Sequence, residues 1–244
     1  MNMRLKMNIK DLKEITNLLL TLVSEAKFEV NPSGLSVKAV DPAHVAMIVL
    51  NVNKDAFLEF DTEEEELGVD LDKVRDILKL ASSGDVVEIS KDGSKLTFLM
   101  GNLTRSMPLI DTSALTVPKV PNLVLPAKVV LPVKEFEHGI KAAESISDNI
   151  TLRITPTEFE MYTQGDQDEA RLNIPKDMLK ELSCDEPVKS MYPVDYLVKL
   201  VKAMDSANDL TIYMGTDYPI KMEFDITGGA GKGEYLLAPR IEGE

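Results

Sequence analysis

The stretch Pro108–Pro132, PLIDTSALTVPKVPNLVLPAKVVLP, contains five of the chain's thirteen prolines and has no hydrophobic period long enough for a helix. Proline lacks the backbone donor that a central strand needs, and it biases the residue before it towards extended geometry. We therefore expect an extended linker or edge segment here. Because the flanks share one order of elements, the sequence predicts two similar domains, residues 1–107 and 132–244, joined by a linker over 108–131.

The composition describes a globular protein without a membrane span. Apolar residues make up 44% and charged residues 28% of the 244 positions, and no window approaches eighteen uninterrupted apolar residues. The start of the chain lacks the apolar core of a signal peptide, and a single cysteine, Cys184, fits a reducing cytosol. With only His44 and His138 besides, little remains for a zinc site. We expect no metal, no cofactor and a cytoplasmic location.

Hydrophobic periodicity predicts the same sequence of elements on both sides of the linker. Predicted helices cover residues 8–26, 70–81, 133–147 and 193–204. Predicted strands cover residues 28–30, 35–40, 45–52, 86–90, 95–100, 103–107, 149–154, 158–163, 170–174, 210–214, 220–226 and 235–238. Residues 73–89 also align without gaps on residues 196–212. The repeated order indicates duplication of one domain.

The distribution of charge singles out the predicted helices. A net charge of −14 argues against indiscriminate nucleic-acid binding through a basic surface. Over residues 9–23, 70–80, 132–146 and 192–204, however, nine basic residues balance nine acidic ones, so the acidic excess lies outside the helices. Each helix has a polar stripe with basic residues at spacings of three, four or seven. One such stripe is typical of a solvated face, whereas four together favour a shared surface that faces a polyanion.

Three segments carry a resemblance to a known family. They are Ser33–Leu50 (SGLSVKAVDPAHVAMIVL), Gly68–Lys79 (GVDLDKVRDILK) and the tail Tyr235–Glu244 (YLLAPRIEGE). Their most specific parts are the D-x-x-H-V segment that starts at Asp41 and the L-A-P-[RK]-I segment that ends at Ile241. The chain resembles the proliferating cell nuclear antigen family, the sliding DNA clamps of archaea and eukaryotes, over essentially its whole length. It is most similar to archaeal members, which implies a cytoplasmic location, whereas a eukaryotic member would be nuclear.

The resemblance implies an α+β fold, the DNA-clamp fold, in which each domain has antiparallel sheets and two helices. Three subunits would form a pseudo-sixfold ring that encircles duplex DNA without reading its sequence, with twelve helices lining the hole. Such a ring is held by topology, so weak phosphate contacts are enough. Family positions suggest Lys13, Lys79, His138, Lys141 and Lys202 as DNA-facing residues, and the stripes add Lys10, Arg75, Lys134 and Lys199.

Three acidic residues depart from the eukaryotic pattern. Glu14, Asp76 and Asp195 stand where eukaryotic relatives usually have basic residues. The resemblance therefore implies a hole that is less positive than in those relatives.

The resemblance also implies an apolar pocket beneath the linker that takes short peptides from a DNA polymerase, clamp loader, flap nuclease or ligase. For most of its residues, ordinary core packing is the competing interpretation. For His44, that interpretation is a loop histidine bonded to the backbone. The candidate positions are Val40, His44, Val45, Met47, Val120, Pro121, Pro219, Ile220, Leu236, Ala238, Pro239 and Ile241.

Head-to-tail contacts between exposed edge strands would close the ring of a homotrimer. The resemblance places these contacts in strands 103–107 and 170–174. The arginines there would pair with acidic residues of a neighbouring subunit. The candidate interface residues are Leu103, Arg105, Met107, Arg171, Leu172 and Ile174.

Other interpretations compete with a processivity factor for DNA replication and repair. An enzyme could use Asp41 with His44 as an acid–base pair, or Glu63–Glu66 as a metal site, but neither has the partners that such chemistry needs. Gly228–Gly233 lacks the spacing and the following helix of a phosphate-binding loop. We therefore expect no catalytic residue. The remaining alternatives are a subunit of a heterotrimeric clamp and a scaffold that does not bind DNA.

Overall fold

The computed structural model describes residues 3–82 and 84–241, which form two compact units. Unit 1 takes the described chain up to Lys119, together with two later segments, Met204–Ser206 and Asp225–Gly233. Unit 2 takes the remaining described residues from Val120 onwards. Two segments of the second half of the sequence therefore complete the first unit.

Unit 1 contains two helices and two antiparallel sheets. The helices are α1 (Ile9–Leu20) and α2 (Leu71–Leu78). The strands are β1 (Arg4–Asn8), β2 (Glu25–Asn31), β3 (Gly34–Val40), β4 (Ala46–Asn53), β5 (Glu59–Asp61), β6 (Glu65–Asp70), β7 (Val86–Asp92), β8 (Lys95–Met100) and β9 (Leu103–Pro108). One sheet has the order β5-β1-β7-β8-β9, and the other includes the run β6-β2-β3-β4.

The helices of unit 1 follow from amphipathic spacing and from identifiable ends. On α1, Ile15, Leu18 and Leu19 are buried, whereas Lys10 and Asn17 are exposed. The predicted helix over residues 8–26 is too long, because the hydroxyl of Thr21 bonds the carbonyl of Leu18 and β2 begins at Glu25. Helix α2 begins after Asp70, whose carboxylate accepts the N–H of Lys73 at 3.0 Å.

Unit 2 repeats this arrangement. Its helices are α3 (Val133–Glu144) and α4 (Val194–Ala203). Its strands, including those whose ends belong to unit 1, are β10 (Ala127–Pro132), β11 (Asn149–Ile154), β12 (Glu158–Gln164), β13 (Glu169–Pro175), β14 (Glu181–Ser183), β15 (Val188–Pro193), β16 (Asp209–Met214), β17 (Ile220–Ile226) and β18 (Gly231–Leu237). One sheet has the order β13-β12-β11-β15, and the other includes the run β14-β10-β16-β17-β18. The predicted α+β class is confirmed.

The end of the proline-rich stretch differs from the prediction. Residues Ala127–Pro132 form β10, which pairs with β14 on one side and β16 on the other, so the expected linker or edge segment is wrong here. Prolines flank this segment without interrupting it. Pro126 precedes the strand, Pro132 is its last residue, and the side chains of Val129 and Leu131 are fully buried between them. No ladder donor is therefore lost inside the strand.

Several further strands have no counterpart among those predicted from hydrophobic periodicity. The sequence pattern does not predict strands β1, β5, β6, β14 and β15, and β5 and β14 are only three residues long. The final strand begins at Gly231 rather than at Tyr235, and Gly231 is buried there. A Cβ at Gly231 would lie 3.1 Å from the carbonyl oxygen of Asn51, so the absence of a side chain permits this close approach.

No helix of the described residues is long and apolar enough to cross a membrane. The same part of the chain, residues 3–82 and 84–241, contains no cluster of three or more His, Cys, Asp or Glu side chains arranged to hold a metal ion.

Candidate functional site

The basic residues predicted on the helices of unit 1 lie at its surface, and three of the four have acidic partners. Arg75 contacts Asp72 on α2 at 2.6 Å, and Lys79, the residue that caps the end of α2, contacts Asp76 at 2.9 Å. In both pairs the acid lies three residues before the base. Within the described residues, Lys13 has no carboxylate at ion-pair distance. Lys10 of α1 reaches Asp205, with 3.6 Å between its Nζ and the carboxylate.

Unit 2 presents a similar set on α3 and α4. Lys141 contacts Glu137 at 2.7 Å, four residues earlier on α3, and Lys199 lies 3.8 Å from Asp195 on α4. The ammonium of Lys202 on α4 contacts Glu144, the last residue of α3, at 3.2 Å. Lys134 and His138 are exposed, and neither has an acidic partner among residues 3–82 and 84–241.

These ion pairs are weak enough to exchange. Both members of each pair remain substantially exposed; for Lys79 and Asp76, the exposed fractions are 64% and 66%. Exposed pairs typically contribute about 0.2–1 kcal/mol because water and salt screen them. The cations therefore stay available to a polyanion, but each must leave a carboxylate to contact it.

Glu14 corrects one expectation about these helices. It was predicted to make the helix surface less positive, yet its side chain is 2% exposed and faces the interior of unit 1. Its carboxylate accepts the backbone N–H groups of Asp205, Ser206 and Thr227 at 2.7–3.0 Å, and the hydroxyl of Ser206. Its charge is thus bound by donors inside the fold. Asp76 and Asp195, in contrast, are exposed beside Lys79 and Lys199.

The part of the predicted peptide pocket that lies in unit 1 is built around Asp41. This residue is 5% exposed, and its carboxylate accepts the N–H groups of Ala43, Val45 and Ala46 at 2.7–3.2 Å. The resulting turn holds His44 at the surface with a left-handed φ of 55°. The main-chain N–H of His44 also bonds the carbonyl of Asp41 at 2.9 Å.

The apolar members of this part are not ordinary core. Val40, Val45 and Met47 are only half-buried, so each offers apolar surface beside the exposed His44.

The part of the pocket in unit 2 includes the chain's tail. Ile220 and Leu236 are buried as core residues, whereas Ala238 and Pro239 are half-buried and Ile241 is exposed. Pro219 and the linker residue Val120 are half-buried, and Pro121 is exposed. The N–H of Arg240 bonds the carbonyl of Met191 at 2.7 Å. This bridge fixes the tail against β15, an edge strand of its sheet.

The two strands predicted to join subunits are both edge strands. In unit 1, β9 ends its sheet with Leu103 and Arg105 exposed and Met107 buried. In unit 2, β13 ends its sheet with Leu172 half-buried and Ile174 buried. Edge strands carry unpaired backbone donors and acceptors that suit pairing with another chain.

Arg171 on β13 already has a partner within the subunit. It contacts Glu160 at 2.8 Å, and its guanidinium lies over the ring of Tyr162 at 4.6 Å. An ion pair to a neighbouring subunit would therefore compete with these contacts.

The family follows from the match of the whole chain. Residues 2–108 match the model of the proliferating cell nuclear antigen N-terminal domain, and residues 119–240 match that of the C-terminal domain. The chain belongs to the proliferating cell nuclear antigen family. The resemblance seen in the sequence is thus confirmed, and so is the clamp fold.

Similar members of the proliferating cell nuclear antigen family come from archaea. A protein of Thermoplasma acidophilum named DNA polymerase sliding clamp is 45% identical over 243 residues, which cover 98% of this chain and 99% of that one. The protein of the same name from Picrophilus torridus is 46% identical over 242 residues, with the same coverage of both chains.

Solved structures of the family agree over the full length. The structure described as the C-terminal region of FEN-1 bound to A. fulgidus PCNA aligns with a TM-score of 0.94 and 39% identity, covering 99% of this chain and 100% of that one. The PCNA of Thermococcus kodakaraensis aligns with a TM-score of 0.89 and 27% identity, covering 98% and 100%.

Two acids that pair with basic helix residues, one in each unit, could not be predicted from the sequence. Glu144 and Asp205 lie far in sequence from the lysines that they contact, so no helical spacing could indicate them. Glu14 was noted only as a departure from a pattern. The residues one helical turn from Glu14 are Lys10, Asp11, Asn17 and Leu18, and only Leu18 is apolar, so helical spacing gave no signal of burial.

Proposed function

We infer that this chain is a DNA polymerase sliding clamp, a processivity factor that encircles duplex DNA and tethers replication and repair proteins through short peptides. The observation that carries this inference is the 45% identity, over 98% of the chain, to a protein named DNA polymerase sliding clamp. Exposed basic residues on all four helices support it, because an encircling ring needs only weak phosphate contacts.

DNA contact is assigned to nine basic residues that lie on the four helices or at their ends. Lysine side chains that are long, exposed and held by weak ion pairs suit transient contacts that shift from one phosphate to the next. The acidic remainder of the chain would repel DNA from other surfaces. The proposed DNA-facing residues are Lys10, Lys13, Arg75, Lys79, Lys134, His138, Lys141, Lys199 and Lys202.

Partner peptides are assigned to two surfaces, the His44 turn in unit 1 and the tail in unit 2. Half-buried Val40, Val45 and Met47 offer apolar contacts on the first. Ala238, Pro239 and exposed Ile241 offer apolar contacts and an extended backbone on the second. A homologue crystallised with the C-terminal region of FEN-1 supports peptide tethering. We propose a polymerase, a clamp loader, a flap nuclease and a ligase as partners.

Assembly is assigned to the exposed edges of β9 and β13. One subunit's β9 would pair with the next subunit's β13, and three such contacts would close a homotrimeric ring. The exposed side chain of Leu103 and the half-buried Leu172 would provide apolar contact across this junction. The clamp itself would perform no chemistry, and we propose that it acts in the cytoplasm.

Two measurements test the proposal. Light scattering of the pure protein should give three times the 27.0 kDa chain mass. A monomer at every concentration would favour a subunit of a heterotrimeric clamp. After loading, the ring should stay on closed circular DNA and slide off the linearised form. Equal loss from both forms would contradict encirclement and leave a scaffold that does not bind DNA. Nucleotide hydrolysis by the pure protein would contradict the non-catalytic assignment.

A further inference from the structure

Most of the basic residues on the helices already have a carboxylate partner within the same unit. Six of the nine form such pairs, with N···O separations from 2.6 to 3.8 Å. In four of them, an acid precedes its base by three or four residues on one helix, which is also the arrangement that stabilises isolated helices. The other two pairs, Lys10 with Asp205 and Lys202 with Glu144, join residues far apart in sequence and so do not stabilise a single helix.

The pair of Lys10 with Asp205 is positioned by a buried carboxylate. Glu14 lies one turn after Lys10 on α1, and it accepts the backbone N–H groups of Asp205 and Ser206 at 3.0 and 2.7 Å. The hydroxyl of Ser206 in turn accepts the N–H of Gly228 at 3.3 Å. Because the backbone of residue 205 is fixed in this way, the exposed carboxylate of Asp205 stays 3.6 Å from the ammonium of Lys10.

The pair of Lys202 with Glu144 is the equivalent in unit 2. Glu144 ends α3, and its carboxylate contacts the ammonium of Lys202 on α4 at 3.2 Å. The exposed fractions of the two side chains are 58% and 46%, so solvent reaches both. Among the nine proposed DNA-facing residues, each unit thus has one whose described acidic partner lies outside its own helix.

A carboxylate that already pairs with a lysine changes the free energy of that lysine's contact with a phosphate. A free lysine that neutralises a phosphate releases a condensed counterion from DNA, and each such contact steepens the dependence of log K on log salt by about 0.9. A lysine already paired with a carboxylate must first give up that partner, and the displaced carboxylate is left beside the phosphates. Both effects weaken the contact without removing the cation.

We propose that the carboxylates paired with the basic helix residues act as built-in counterions that limit how strongly the ring holds DNA, and that Asp205 and Glu144 are dedicated to this role. This proposal rests on the proposed clamp function. Asp205 and Glu144 are positioning residues that act through Lys10 and Lys202, and Glu14 acts through Asp205. Their effect is to keep phosphate contacts short-lived, which favours sliding.

The double variant Asp205→Asn with Glu144→Gln tests the proposal, because it removes both acids and keeps their size. The matched control is Asp225→Asn with Glu181→Gln. Asp225 and Glu181 pair with Lys232 and Lys128, and all four residues lie on strands rather than on a helix. Both double variants raise the net charge equally, so general electrostatic attraction is the same in the two.

The measurement is the affinity of the full-length protein for a short linear DNA duplex, by fluorescence anisotropy over a series of salt concentrations. We expect the test variant to have a salt slope steeper than wild type by about one to two units. Its affinity at the lowest salt should be several times higher. The control should keep the wild-type slope. Thermal unfolding of the two variants should be alike. If the acids contributed only to stability, their removal would change the melting temperature and leave the salt slope unchanged.

A test variant with the slope and affinity of the control would overturn the proposal. Retention of the wild-type ring on closed circular DNA, measured alongside, separates this failure from that of the clamp function. If wild type is retained and the two variants behave alike, only the counterion proposal fails. If wild type is not retained on closed circles, the proposed function itself fails.

Discussion

The carboxylate of Glu14 accepts the backbone N–H of Ser206, 192 positions later in the chain, at 2.7 Å. It also binds the N–H of Thr227 at 2.9 Å, and Thr227 has a left-handed φ of 51°. A single side chain of the first helix therefore holds two distant segments of unit 1 in place. Its negative charge is offset by backbone donors rather than by a basic residue.

We expect Glu14→Gln to destabilise the protein by roughly 2–4 kcal/mol, because an amide cannot accept all of the donors that converge on the carboxylate. The melting temperature should fall by roughly 5–15 °C. Calorimetry measures both quantities. Glu25→Gln, which makes the same change of charge at an exposed position of β2, serves as the control and should melt as wild type does. Equal melting temperatures for the two variants would show that the Glu14 bonds contribute little.

Removing the two helix lysines that have no carboxylate partner among residues 3–82 and 84–241 should shorten retention on DNA. Lys13 and Lys134 lie one in each unit, and a phosphate can contact them without displacing a carboxylate. We expect Lys13→Met with Lys134→Met to shorten the residence time of the loaded ring on closed circular DNA several-fold. The control is Lys119→Met with Lys176→Met, which removes two exposed lysines outside the helices. The prediction is wrong if the control loses as much retention as the test variant.

The acid of one helix pair should report on DNA contact through its pKa. The hydrogen bond and the charge of Lys79 lower the pKa of Asp76 below its ordinary 3.8. Because the lowered value belongs to the folded chain, the ionised form favours folding above pH 3.8, and this contribution is lost as the pH falls through the folded pKa. Lys79→Met should raise the Asp76 pKa to its ordinary range, as measured by NMR titration of the carboxyl carbon.

Adding a DNA duplex to the wild-type protein should raise the Asp76 pKa in the same direction, since phosphate would take Lys79 from it. Lys73→Met removes a neighbouring lysine that pairs with Asp70 instead, so it should leave the Asp76 pKa nearly unchanged. If the pKa of Asp76 changes neither on addition of DNA nor on removal of Lys79, this account of the pair is wrong.

A charge placed on the exposed edge of β9 should break the assembly. We expect Leu103→Asp to lower the mass by light scattering from that of a trimer to the 27.0 kDa monomer, because an unpaired carboxylate would be buried at the junction. Leu58→Asp is the control, since Leu58 is even more exposed, at 61% against 40%, but lies outside the edge strands. Trimers from both variants would place the junction elsewhere.

Local patterns predicted the parts of this fold that depend on nearby residues. All four helices and most strands followed from periodicity, although the first helix was predicted too long and the last strand too short. Strand β10 was not predicted because the prolines around it indicated a linker. The buried side chains of Val129 and Leu131 nevertheless alternate with half-buried neighbours, as in a strand with one buried face. Short β5 and β14 carry too few residues to show any period.

The candidate site divides in the same way. The basic residues of the helices could be named from spacing, and the His44 turn and the tail from the resemblance to a family. The acids that pair with Lys10 and Lys202 could not, because Asp205 and Glu144 reach them only through the three-dimensional fold. The burial of Glu14 likewise depends on donors far along the chain, and no local sequence window contains them.

The late segments of unit 1 also have a consequence during synthesis. Residues 204–206 and 225–233 leave the ribosome only after most of unit 2 has been made, so unit 1 cannot be completed while the nascent chain ends at the linker. Until these segments are made, the carboxylate of Glu14 lacks the backbone donors that it binds in the folded unit. The first half therefore remains incomplete until the last strands have been synthesised. The two halves of the sequence are therefore expected to finish folding together, and a fragment ending at Lys119 should not be stable alone.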